Sequence, residues 1–233
     1  MYDQNAYEVS SSKKALAACI VNVYWWMTFA LFISALAAWM VGTSEKLARI
    51  FIGNQPVFFL LIIAEFVLVM AISAGINKMS ASTATALFIL YAAMNGLTLS
   101  VIFLTYSMNA IMVTFAVTGG TFAAMAAIGS VTQKDLTSLG NLLFMALIGL
   151  IIASIVNLFW SNGTLYTICT YAGVLIFVGL TAYDANKIKQ MYLNAGTDNE
   201  EMVRKIAVIG ALSLYLDFIN LFLYLLRIFG RRD

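Results

Sequence analysis

The chain has 233 residues, of which 62% are hydrophobic and only one is proline, and its 13 basic and 11 acidic residues leave a formal net charge of +2. A mean hydropathy of +0.91 excludes a soluble domain of this length and marks an integral membrane protein. With so little net charge, and basic residues that sit beside the apolar runs, nucleic-acid binding has no support.

The gaps between charges map the spans. Residues 15–44, 79–133 and 136–183 contain no Asp, Glu, Lys or Arg, and a helix needs about 20 apolar residues to cross a bilayer. The first gap holds one span, predicted at 19–41, retained and too long for the apolar segment of a signal peptide. A second span is predicted at 57–76, apolar except for Glu65. The next gap holds spans at 83–105 and 109–129, separated by a break at Tyr106-Ser107-Met108-Asn109. The last gap holds spans at 140–160 and 165–186, separated at Ser161-Asn162-Gly163-Thr164. About 20 mostly polar residues then precede a seventh span at 206–228, apolar except for Asp217 and Arg227. Continuous apolarity at this length is wrong for membrane strands, which alternate over roughly 10 positions.

The expected architecture is therefore all-α and polytopic: a short polar tail at 1–18, a single seven-helix domain at 19–228 and a tail at 229–233. Seven crossings put Lys13, Lys14, Lys78, Lys134, Lys187, Lys189, Arg204 and Lys205 on the N-terminal side, against Lys46, Arg49, Arg227, Arg231 and Arg232 on the other. That bias favours a cytoplasmic N-terminus. The basic cluster after Arg227 pulls the other way and leaves open a re-entrant last segment.

The chain contains no histidine, and Cys19 and Cys169 lie in different spans. Zinc or haem ligation of the usual kind, Cys-His catalysis and His-based triads are thereby ruled out of the expectations, and no cofactor and no enzymatic activity are predicted. Gly119-Gly120 lies inside an apolar span without the context of a phosphate-binding loop, and is read as a site of close helix packing. Asn22, Asn95 and Asn157 read first as hydrogen-bonding glue between helices.

Three carboxylates lie within spans: Glu65, Asp184 and Asp217. A charge at mid-helix costs about 2.5–3.5 kcal/mol on insertion scales, so each needs a proton, a partner or water. Asp217 is too deep and too short to reach an interface. Around it Gly210, Ser213, Asn220, Tyr224 and Arg227 recur at spacings of three and four, a polar stripe on an apolar helix. Such a stripe belongs in the protein interior, so the C-terminal helix is expected to be the central one. Thr181, Asp184 and Lys187 share a face of the sixth span, and Tyr91, Asn95, Thr98 and Thr105 one of the third. These surfaces would line a cavity or path holding Glu65, Asn95 and Asn220.

"ALSLYLDFINLFLYLLRIFG" at 211–230 and "GLTAYDANKIK" at 179–189 resemble the signature segments of the Bax inhibitor-1 family, most closely its bacterial members. The likeness extends over nearly the whole chain from about residue 15, through "MNGLTLSVIF" at 94–103 and "TQKDLTSLGNLLFMALIGL" at 132–150. The resemblance implies a last helix wrapped by six others, in a multi-pass protein of the bacterial inner (plasma) membrane. It also implies that Asp184 and Asp217 form a hydrogen-bonded pair acting as pH sensor in a calcium leak, with Glu65 on the ion path. Calcium ions and protons are then the small partners, and any calcium at the two aspartates is transient. Related bacterial proteins carry arginines after the second helix, one of which latches the pair. Here "SAGINKMSAS" offers only Lys78, so the latch is either this lysine, a point charge in place of a fork, or absent.

Electrostatics gives the sensor a mechanism. Two carboxylates in contact in a poorly solvated site cannot both carry charge cheaply, so near neutral pH they would share one proton. A second proton removes the pair's hold on a cation, whereas losing the last one adds repulsion that opens the path. Two alternatives stand: a regulatory protein that binds another membrane protein, such as a protease or stress factor, without transport; and an intramembrane aspartyl protease. Against the latter, Asp217 follows Leu214-Tyr215-Leu216, where a glycine-containing GxGD motif is needed.

Overall fold

The computed structural model describes the backbone of residues 2–195 and 199–230, with side chains from residue 14. Among the described residues there is no strand. The helices are α1 (Tyr2–Gly42), α2 (Glu45–Phe51), α3 (Gln55–Gly75), α4 (Ala81–Leu99), α5 (Val101–Thr105), α6 (Met108–Val131), α7 (Thr137–Trp160), α8 (Gly163–Ala195) and α9 (Glu200–Phe229). Seven stretches are long and apolar enough to cross a membrane: α1 from Lys14, α3, α4 with α5, and α6 to α9. The all-α, seven-span expectation therefore holds.

Local chemistry sets most of the boundaries. Asn54 Oδ1 accepts from Val57 N (3.4 Å) ahead of Pro56, Ser80 Oγ accepts from Thr83 N (3.1 Å), and Ser107 Oγ accepts from Ala110 N (3.3 Å). Each satisfies a donor that the first helical turn leaves orphaned. α7 ends where Ser161 turns left-handed (φ 44°), and Asn162 Oδ1 then accepts from Leu165 N (3.0 Å) at the start of α8. Both breaks read from the sequence, at 106–109 and 161–164, are real.

Three features differ from expectation. The third span is interrupted at Ser100, whose hydroxyl bonds back to Leu97 O, a contact that bends helices. The short α2, capped by Ser44 and carrying an exposed Glu45–Arg49 pair, lies between the first two predicted spans, where no helix was expected. Finally, the polar region before the seventh span is mostly helix, since α8 runs to Ala195 and α9 begins at Glu200. Hydropathy marks the apolar layer rather than the helix, whose backbone bonds close just as well under Lys187 or Arg204. α9 runs unbroken for 30 residues, about 45 Å, which leaves no internal turn for a re-entrant path.

The chain forms two compact units, residues 1–105 with 188–215 and residues 106–187 with 216–233. In the first, α1 meets α4 where Gly96 lies against the backbone of Ser34, and Phe88 and Tyr91 set their rings edge-on to Tyr215 (5.7 Å each). In the second, Leu150, Cys169, Ile176, Phe177, Leu180, Leu221 and Leu225 make a common core. α9 is the most enclosed span, with 67% of its apolar window buried against 6% for α7.

Candidate aspartate site and polar network

Both spanning aspartates belong to the second unit. Asp184 sits on α8, 8% exposed, between buried Thr181 and Asn186, and Asp217 sits on α9, 4% exposed. α6 closes onto α8 through Gly129, because a Cβ there would fall 2.8 Å from the carbonyl carbon and 2.9 Å from Cα of Ala182. The same contact is pinned by Asn186 Nδ2 donating to Gly129 O (3.2 Å). Thr181 turns its hydroxyl back to Phe177 O (2.7 Å) and so offers no proton to the site. Beside Asp217, the ring of Phe218 is edge-on to Phe115 and Phe122 (5.4 Å each). The wall there is apolar.

Asp184 and Asp217 lie within electrostatic reach of each other, and Lys187 within reach of both. Asp184 Oδ1 and Asp217 Oδ2 are buried without a hydrogen-bond partner, so those two atoms are not the ones joined in a hydrogen-bonded pair. An uncompensated buried carboxylate oxygen is costly, and it marks a place for a proton or a cation.

A cation within electrostatic reach of the pair is Lys187, one turn along α8 from Asp184, with its Nζ 5.7 Å from the Tyr183 ring centre. Lys78, the candidate latch, is exposed after α3 and makes no ion pair among the described residues. The polar stripe on α9 is only partly inward. Ser213 and Tyr224 are half-buried, Asn220 Nδ2 donates to Leu216 O of its own helix (2.8 Å), and Arg227 is exposed.

Glu65 belongs to the first unit and is half-buried. Its Oε2 accepts from Asn95 Nδ2 (3.1 Å) and its Oε1 from Thr98 Oγ1 (2.9 Å). Asn95 Oδ1 in turn accepts from Tyr215 Oη (2.9 Å), which is 2.6 Å from Ser34 Oγ. Glu65 and Asn95, expected on one path, are thus brought together, whereas Asn220 lies in the other unit. Sequence reasoning missed Tyr215 and Ser34. Tyr215 could have been found as a hydroxyl two residues from Asp217, but a lone serine in α1 carries no signal.

Gly119-Gly120 does not mediate packing: a Cβ at either glycine would meet nothing within 4 Å. Glycines that meet the backbone of another helix are Gly96 and Gly129 instead. Asn157 Oδ1 accepts from Asn162 N (2.9 Å), a local bond that closes the turn after α7 and not a bond between helices.

Comparison with known proteins agrees with the resemblance read from the motifs. Residues 16–233 match the family described as "Inhibitor of apoptosis-promoting Bax1". The chain is 47% identical over 220 residues to "Inner membrane protein YbhL" of Escherichia coli strain K12, covering 94% of each chain. It is 44% identical over 229 residues to an uncharacterized protein of Borreliella burgdorferi, covering 98% of this chain and 97% of the relative. To uncharacterized protein RP147 of Rickettsia prowazekii it is 39% identical over 223 residues, covering 94% and 92%. The match takes in both aspartate-bearing helices and every span from α1 to α9, and the chain belongs to the Bax inhibitor-1 family of multi-pass membrane proteins.

Proposed function

We propose that the protein is a pH-responsive cation leak of the bacterial inner membrane, with calcium as the cation and Asp184 and Asp217 as the gate. The name of its relative YbhL supports that membrane. The observation that carries the reading is the pair itself: two buried carboxylates on α8 and α9, each with an oxygen lacking a hydrogen-bond partner, within reach of each other and of Lys187. Such an arrangement responds to single protons, because each proton gained or lost changes the charge of a site that water does not screen. Two carboxylates offer at most four oxygens, fewer than the six to eight that calcium takes. The ion therefore passes and is not stored. Glu65, held by Asn95 and Thr98, supplies a further oxygen site for a hard cation.

Calcium flux into proteoliposomes, measured from acid to alkaline pH, tests the reading. Asp184→Asn and Asp217→Asn should each flatten the pH response; unchanged flux with an unchanged pH profile in both would refute the gate. A second reading is favoured by the family's description, which names inhibition of another protein: the protein binds a membrane partner and does not conduct. Purified protein without flux, recovered from membranes with a stoichiometric partner, would establish that reading instead.

A further inference from the structure

At the end of the second unit where α7 turns into α8, a cleft of about 470 Å³ is lined by Ser154, Asn157, Ser161, Asn162, Tyr166 and Arg227, among others. It is independent of the aspartate pair and of any ion flux. Its chemistry is one-sided. Asn157 Oδ1 is occupied by Asn162 N, and Asn162 Oδ1 by Leu165 N. Because a backbone N–H can only donate, the amide oxygens are fixed there, and each side chain retains its two N–H donors. Ser154, Ser161 and Tyr166 add hydroxyls that can also donate. Arg227 contributes five more N–H donors on a guanidinium 4.8 Å from the Tyr224 ring centre and 5.7 Å from that of Tyr166.

Among the described residues, no carboxylate lines the cleft. Arg227 is in no ion pair among the described residues. On its own helix the carboxylate before it is Asp217, ten residues or about 15 Å back along the axis. Two tyrosine rings thus flank an arginine beside a donor-rich cleft that holds no carboxylate among the described residues. The cleft also lies at a membrane boundary, because α7 ends at Trp160 and α9 two residues past Arg227. Leu158, Phe159 and Trp160 are 78%, 82% and 80% exposed next to it, the apolar and aromatic rim that settles at a lipid interface.

We propose that this cleft binds a phosphate group, presented by the headgroup of an anionic phospholipid. Arginine suits a phosphate because its planar fork donates two parallel hydrogen bonds, and the asparagine amides and serine hydroxyls can complete the shell around the remaining oxygens. A lipid places its phosphate at this depth while its chains lie along the exposed face of α7.

The test uses the full-length protein in detergent, with dioleoylphosphatidylglycerol titrated and bound lipid counted by native mass spectrometry. The wild type should retain one lipid more tightly than the rest. Arg227→Gln should weaken that binding roughly tenfold to a hundredfold, the loss of one charge-assisted hydrogen-bonding group. Ser154→Phe, which fills the cleft and leaves the charge in place, should weaken it as well and serves if the first variant folds poorly. Inorganic phosphate that displaces the lipid at millimolar concentration would uphold phosphate recognition and identify the free anion as its source. Lipid binding unchanged in both variants would overturn the proposal.

Discussion

Replacing Gly129 with alanine sets helix propensity against packing. Alanine favours a helix interior by about 1 kcal/mol over glycine, so propensity alone predicts a more stable protein. The added Cβ would stand 2.8 Å from the carbonyl carbon and 2.9 Å from Cα of Ala182, with the carbonyl oxygen nearer still. Carbon atoms pack at about 3.5–4.0 Å, so α6 and α8 must separate by roughly 0.7 Å or more. Every clashing atom is backbone, which leaves no side chain to swing aside. Overpacking of this kind costs about 1–3 kcal/mol, and the separation also stretches the 3.2 Å bond from Asn186 to Gly129 O. Gly119→Ala and Gly120→Ala are the controls, since nothing lies within 4 Å of a Cβ at either. Thermal melting of the three variants in one detergent should rank Gly129→Ala well below the wild type and leave the other two equal to it or above. Gly129→Ala melting with its controls would refute the packing argument and, with it, the tight α6–α8 seam beside Asp184.

Further outcomes follow from the same geometry. Tyr215→Phe keeps the ring against Phe88 and Tyr91 but strips Asn95 Oδ1 and Ser34 of a partner; it should cost about 1–3 kcal/mol in melting experiments and lower flux by loosening Glu65, and a neutral result in both would show that the network does not position Glu65. Lys187→Met removes a cation within electrostatic reach of both aspartates, so the pH profile of proteoliposome flux should shift; an unmoved profile would separate Lys187 from the gate. Asp135 lies in the loop before α7, where hydrogen bonds from the Thr137 hydroxyl and N–H hold its carboxyl below the usual range. Because the folded value is the lower one, whatever stability this contact adds is present above the ordinary carboxylate range and is lost as pH falls through the folded value. Thr137→Val should move the Asp135 titration, followed by NMR, up toward that of a free aspartate.

How much was legible in the sequence depends on how local each cause is. The absence of charge over 15–44, 79–133 and 136–183 determined five of the seven spans, since a bilayer penalises charge wherever it falls along a helix. Capping residues at 107 and at 161–162 determined the turns, because a cap acts within one helical turn. Spacing of three and four flagged Asp217 on an inward stripe, and the cost of burying a carboxylate singled out Asp184 with it. Periodicity marks a face, however, without naming what packs on that face. Only the tertiary structure decided that Gly129 and Gly96 mediate close approach while Gly119 and Gly120 face open space. It likewise decided that Lys187 comes within electrostatic reach of both aspartates and that Tyr215 reaches Asn95 across 120 positions. Hydropathy could not mark the ends of α8 and α9, because outside the lipid a helix continues through charged residues as readily as apolar ones. One-body costs are written along the chain, while pairwise distances between helices exist only once the chain has folded.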